Sequence, residues 1–143
     1  MNSKSGFSLI EVLIAMTIIG ILSGVVGLSV MGHLRKAKIQ AATSQIKTFQ
    51  TALQMYQAAH GRIPSTSQGL EALCVATRIP PLPKDYPAEG YLESRKLPVD
   101  PWGTPYVYLV PGRRSEPYEI ISYGADGEEG GTGDAADISS GEM

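Results

Sequence analysis

The apolar run from Phe7 to Met31 (FSLIEVLIAMTIIGILSGVVGLSVM) holds one charged side chain, Glu11, and no proline. About 20 residues at 1.5 Å rise cross the ~30 Å hydrocarbon core of a bilayer, so the run is long enough to span one. A secretory signal peptide has a shorter apolar stretch, about 7–15 residues, closed by a small-residue cut site. Gly27-Leu28-Ser29 offers such a site only weakly. Glu11 argues harder against that reading, because a carboxylate in an apolar span is costly and marks a place where it meets a partner.

Lys4-Ser5-Gly6 stands before the run, and Phe7-Ser8-Leu9-Ile10-Glu11 opens it. This arrangement resembles the processing signal of type IV pilins and pseudopilins: a short basic leader ending in Gly, then Phe, with Glu fifth in the mature chain. The resemblance implies that a membrane-embedded prepilin peptidase cuts between Gly6 and Phe7 and methylates the new amine of Phe7. It also implies a partner for Glu11. A buried carboxylate needs a counter-charge, and the terminal amine of a neighbouring subunit supplies one and fixes axial register. The competing reading is a plain anchor whose Glu11 reaches the interface; Lys4, Gly6 and Phe7 at these spacings weigh against it. Arg35, Lys36 and Lys38 follow the run while Lys4 precedes it, so charge counting alone would leave the C-terminal part in the cytoplasm. The resemblance implies the reverse, an inner-membrane protein of a Gram-negative cell with its C-terminal part periplasmic.

No proline interrupts the chain from Phe7 to Gly61. Beyond the apolar run, Ile39, Ala42, Ile46, Phe49, Leu53 and Tyr56 recur at spacings of three and four, with Lys38, Gln40, Lys47, Gln50 and Gln57 between them. That is an amphipathic helix with a narrow apolar stripe. Gly61 suits the left-handed position after a helix, and Pro64 stops continuation. One helix from about Phe7 to Ala59 would be roughly 80 Å long, apolar all round in its first half and one-sided in its second. A simple tether needs no such rigid extension, whereas a filament subunit does. Gly20 and Gly24, with Gly27 beside them, offer a small-residue face that permits close helix approach, although glycine is also frequent in membrane helices without such a role. Leu28 stands where pilins and pseudopilins commonly carry Pro.

The remainder is small and irregular. Ser65 and Gln68 match a capping box opening a short helix over Gly69–Val75. Pro80, Pro81, Pro83, Pro87, Pro98, Pro101 and Pro105 preclude long elements between Arg78 and Pro105. Tyr106–Val110 and Tyr118–Tyr123 read as paired strands joined by Pro111–Glu116, with room for a third short strand near Tyr91 and Leu92. The stretch Ile63-Pro64 through Gln68-Gly69-Leu70-Glu71-Ala72-Leu73 is similar to a segment of major pseudopilins. So are Leu97-Pro98-Val99-Asp100-Pro101-Trp102-Gly103-Thr104-Pro105-Tyr106 and the tail from Ser122-Tyr123-Gly124-Ala125-Asp126-Gly127 to Ala136-Asp137-Ile138. The chain is thereby identified as a member of the major pseudopilin family of type II secretion systems, the general secretion pathway protein G family.

The implied fold is α+β and pilin-like, a long N-terminal helix packed on a small antiparallel sheet with a C-terminal calcium loop. The implied organisation is a leader over 1–6, a transmembrane and filament-core half over 7–32, an amphipathic half over 33–60 and a periplasmic globular part over 61–143. The implied function is the core structural subunit of a periplasmic filament that drives protein export across the outer membrane. Its partners would be further copies of itself in a helical homopolymer, the prepilin peptidase, minor pseudopilins and an inner-membrane assembly platform.

Asp126 to Asp137 reads DGEEGGTGDAAD. Clustered carboxylates on a flexible turn suit Ca²⁺, which takes six to eight oxygens in irregular geometry. The loop is no EF-hand, since Gly130 replaces a ligand and no helices flank it. It is also out of phase with repeat calcium motifs. Taken alone, such a loop reads as solvated surface. The resemblance implies one structural Ca²⁺, with Asp126 and Asp137 as ligands, Asp134 next and the Tyr123 carbonyl contributing. Ala136 stands where many relatives have a second acidic residue, and Ser139-Ser140 where a Trp often ends the motif.

Other classes find little support. A net charge of -2 implies no polyanion surface, which disfavours nucleic acid. His33 and His60 sit in no nucleophile–base pattern, and no phosphate loop or zinc spacing occurs, so no enzyme is expected. Trp102 in Asp100-Pro101-Trp102-Gly103 reads as the packing residue of a turn. Cys74 is the only cysteine, read as a small buried hydrophobe. Its solitude speaks against a type IV pilus or competence pilin, most of which carry a C-terminal disulfide. An anchored binding module would not need the Gly6, Phe7 and Glu11 arrangement.

Overall fold

A computed structural model of the chain describes residues 6–143, except for the side chains of residues 25–30. The leader residues 1–5, with Lys4, and the side-chain readings at Gly27, Leu28 and Ser29 lie outside that description. Helix α1 runs from Leu9 to His60, 52 residues without a break. Contacts divide the chain into two compact units, residues 1–37 and 38–143.

In the first unit the helix turns apolar side chains outward all round. Leu9, Ile14, Met16, Ile19, Ile21 and Leu22 are all exposed. Among its described residues, Thr17 donates its hydroxyl to the Leu13 carbonyl at 2.8 Å and Ser23 to that of Ile19 at 2.7 Å. Back-bonding to the carbonyl four residues earlier satisfies a helix hydroxyl without a solvent partner. Among the described residues no helix is long and apolar enough to cross a membrane. The span read from sequence, 7–31, includes the undescribed side chains of residues 25–30.

In the second unit the apolar stripe is buried. Ala42, Ile46, Phe49, Leu53 and Tyr56 are sealed from solvent, and Ala52 joins them. Each large side chain buried in this way contributes about 1.5–3 kcal/mol relative to exposure. Ile46, Phe49, Ala52, Leu53 and Tyr56 meet Leu70, Leu73, Cys74, Tyr106, Tyr108 and Ile120 in one core. Phe49 packs edge-on against Tyr106 at 5.1 Å between ring centres, a geometry aromatic quadrupoles favour. Gly61 ends the helix with φ 72°, as the sequence indicates.

Among the described residues the sheet has three antiparallel strands in chain order: β1 (Val107–Leu109), β2 (Glu119–Ser122) and β3 (Ile138–Ser139). Tyr108 pairs with Ile120, and Ser122 with Ile138. The hairpin is therefore as expected, but the third strand is not near Tyr91 and Leu92. There, the Tyr91 amide donates to the Leu73 carbonyl at 2.7 Å, tying the segment to a helix end and not to a strand. The short helix also differs from expectation. The capping box forms, with Ser65 N–H donating to Gln68 Oε1 at 2.9 Å and Gln68 N–H to Ser65 Oγ at 3.3 Å. However, Gly69 then takes φ 66°, and only a 3₁₀ turn, Leu70–Leu73, follows. A left-handed residue there separates the capped turn from the helical one.

Candidate functional site

At the N-terminus, Gly6 and Phe7 lie before the first helical turn, and Phe7 is 88% exposed. Ser8 is the residue before helix α1, and its N–H donates to Glu11 Oε2 at 2.8 Å. This is the carboxylate half of a capping box, where the third helical residue reaches back to satisfy an orphan donor. The Ser8-Leu9-Ile10-Glu11 pattern carries that signature beneath the overlying processing motif. Glu11 thus has a partner within its own chain.

In the globular unit, the acidic loop follows β2 and returns to β3. Ser122 is fully buried, and after it Gly124 takes φ 64°. A Cβ on Gly124 would lie 2.8 Å from the Asp134 carbonyl oxygen and 2.9 Å from that of Ala136. The two arms of the loop therefore approach too closely for any side chain. The Ala125 N–H donates to the Asp134 carbonyl at 2.9 Å, closing the base. Asp126 Oδ1 accepts from Glu128 N–H at 3.2 Å, and Asp137 Oδ1 from Gly130 N–H at 3.1 Å. Asp126 is exposed, whereas Tyr123, Asp134 and Asp137 are half-buried.

These donors fit a hard divalent cation in kind: carboxylates and main-chain carbonyls on a turn that glycine lets fold back on itself. Among the described residues no three acidic, histidine or cysteine side chains gather tightly enough to form a metal cluster. An ion here would draw on backbone oxygens as much as on Asp126, Asp134 and Asp137. When bound, it would neutralise the loop's own repulsion.

Two charged residues outside the expected set organise the same region. Glu119 of β2 is buried and both its carboxylate oxygens accept from one edge of the Arg113 guanidinium, Nε and Nη2, with Nη2 2.9 Å from Glu119 Oε1. It also accepts from the Arg113 backbone N–H at 2.9 Å and from the Ser139 hydroxyl at 2.6 Å. Hydrogen bonding from Arg113, against the opposing effect of burial, lowers the Glu119 carboxyl to about 2. The Arg113 guanidinium is held protonated more firmly still by the same bonds. Asp100 is the other residue. It is buried, with Oδ1 accepting from Trp102 and Thr104 N–H at 3.0 and 2.8 Å and Oδ2 from the Ser122 hydroxyl at 2.6 Å. The turn after Pro98 is therefore held by a carboxylate, while Trp102 itself is half-buried with Lys38 Nζ 5.9 Å from its ring centre. Cys74 is buried, and burial raises its thiol pKa, followed by the Glu71 charge. His60 Nε2 shares a 2.7 Å hydrogen bond with the Tyr91 hydroxyl, in a packed group with Tyr56 and Tyr86.

The family described as Type II secretion system (T2SS), protein G, matches residues 29–141, and the prokaryotic N-terminal methylation motif matches residues 1–27. The chain belongs to the type II secretion system protein G family. A type II secretion system core protein G of Pseudomonas aeruginosa is 46% identical over 137 residues, covering 96% of this chain and 94% of the relative. One of Escherichia coli K12 is 41% identical over 129 residues, covering 90% and 87%. The crystal structure of the major pseudopilin from the type 2 secretion system of enterohaemorrhagic E. coli superposes with a TM-score of 0.66 at 38% identity, covering 79% of this chain and 94% of that one. The chain is accordingly a structural pseudopilin subunit, and the match favours secretion over a pilus or competence pilin.

Proposed function

We propose that the chain is cut between Gly6 and Phe7, methylated at Phe7, and assembled from the inner membrane into a periplasmic helical filament that drives export across the outer membrane. The single observation carrying this reading is the outward-facing apolar half of α1, whose side chains are exposed in the isolated chain while its one carboxylate stands at the first turn. Such a surface is buried by lipid before assembly and by neighbouring helices after it. Gly20 and Gly24 have open space where a Cβ would be, which suits close approach by another helix. In the assembled state the Glu11 carboxylate pairs with the Phe7 amine of the next subunit. The exposed Gly6–Phe7 junction is accessible to a prepilin peptidase, and assembly would involve minor pseudopilins and an inner-membrane platform. The globular part lies in the periplasm, where one structural Ca²⁺ on Asp126, Asp134, Asp137 and the Tyr123 carbonyl would steady the acidic loop.

Glu11→Ala tests the reading. Membrane insertion should be retained while filament yield falls at least about tenfold, since losing one partner of a buried pair strands the other charge. Normal yield would remove Glu11 from the assembly mechanism.

A further inference from the structure

The acidic loop meets a cation from the neighbouring hairpin turn. Arg113 sits in the hairpin turn between β1 and β2, and its guanidinium faces two ways. One edge engages the buried Glu119, and Nη1 on the other reaches Glu129 Oε1 at 2.9 Å and Asp137 Oδ2 at 3.8 Å. Asp137 in turn receives the Gly130 N–H across the loop. The next residue repeats the device, with Arg114 Nη2 2.6 Å from Glu142 Oε1 in the last turn of the chain. The two arginines of one turn thus hold the two successive segments of the C-terminal tail.

We propose that Arg113 is a positioning residue for the acidic loop, a built-in counter-cation that ties Glu129 and Asp137 to the sheet. The arrangement has the chemistry this requires. A guanidinium offers five donors in a rigid fork, so it can serve a buried bidentate carboxylate and still direct a donor at a second one. Its inner end is fixed, because Glu119 is also held by Ser139 and by the Arg113 backbone. The fork is thereby held facing the loop. Repulsion among Asp126, Glu128, Glu129, Asp134 and Asp137 is offset in part by this charge. Calcium would act on a loop already close to its final form. The inference deepens the proposed calcium role but does not depend on it.

The test is amide hydrogen exchange on the full mature chain in detergent micelles with EGTA present, comparing the unaltered protein with Arg113→Gln/Glu119→Gln. The paired change keeps neutral hydrogen bonding at the sheet and removes both charges, so that no buried carboxylate is stranded. Exchange at Gly130 and Ala125 should rise about tenfold, the weight of one charge-assisted hydrogen bond. Amides of β1 and β2 should hold. Raising salt should speed loop exchange in the unaltered chain and leave the variant unmoved. Unchanged exchange at Gly130 in the variant would overturn the proposal. If the double variant loses protection throughout, Glu129→Ala decides, since Glu129 is exposed and touches only the outer end of the bridge. Faster exchange confined to the loop supports the role of Arg113, and none refutes it. Calcium added to the unaltered chain reads out separately: if it slows nothing, the calcium reading fails while the Arg113 result stands.

Discussion

Along α1, Leu13, Ile18 and Leu22 are more than half exposed, whereas Ile46, Phe49 and Leu53 are sealed from solvent. Both stretches are rich in aliphatic side chains and both are helical, yet only the second finds its partners in its own chain. The difference lies in what surrounds the apolar positions. After Lys38, polar residues confine them to one stripe that a small sheet can cover. Before it, apolar residues occupy every face, and no single layer of structure could bury them all. Helix formation thus says little about folding energy here. The first half contributes a surface for other molecules, and the second contributes a core.

Substitutions in the two halves should separate these roles. Phe49→Ala should destabilise the full chain in micelles by about 4 kcal/mol in urea unfolding, through lost burial and the cavity left behind. Arg113→Ala should cost about 3 kcal/mol by the same measurement, because Glu119 is left buried and unpaired. Ser65→Ala should cost about 1 kcal/mol by removing one arm of the capping box beneath the core. Leu13→Ala, of similar chemistry to the core substitutions but in the outward-facing half, should stay within about 0.5 kcal/mol. A large loss from Leu13→Ala would break the distinction between the halves.

Acid sharpens it from another side. Glu119 has its folded-state carboxyl lowered to about 2 from an ordinary 4.5. The unfolded chain therefore binds the proton more readily in that interval. The pair's stabilisation is fully present above about pH 4.5 and is lost as pH falls toward 2, a decline of the order of a few kcal/mol. Thermal melts of Glu119→Gln should start lower and lose this part of the pH dependence.

Much of this was legible in the residues. The helix, its stripe, its Gly61 stop, the hairpin and the capping box at Ser65 and Gln68 all follow from local periodicity and local hydrogen bonding, which act over a few residues. The third strand was not legible. Ile138–Ser139 is a two-residue strand with no pattern of its own, made by pairing with β2, while Tyr91 looked strand-like and was claimed by the Leu73 carbonyl. The Arg113–Glu119 pair escaped for a similar reason. A turn arginine and a strand glutamate both read as solvent-facing until the fold buries one of them. Asp100 lies in the Leu97–Tyr106 motif, but its role depends on Ser122, 22 residues away.

The central claim is that the apolar half of α1 is an assembly surface that processing at Gly6 and Phe7 releases for use. Intact mass and N-terminal peptide mapping after co-expression with a prepilin peptidase tests it most directly. The account predicts a chain beginning at methylated Phe7. A chain retaining Met1, or one cut near Ser29, would contradict it.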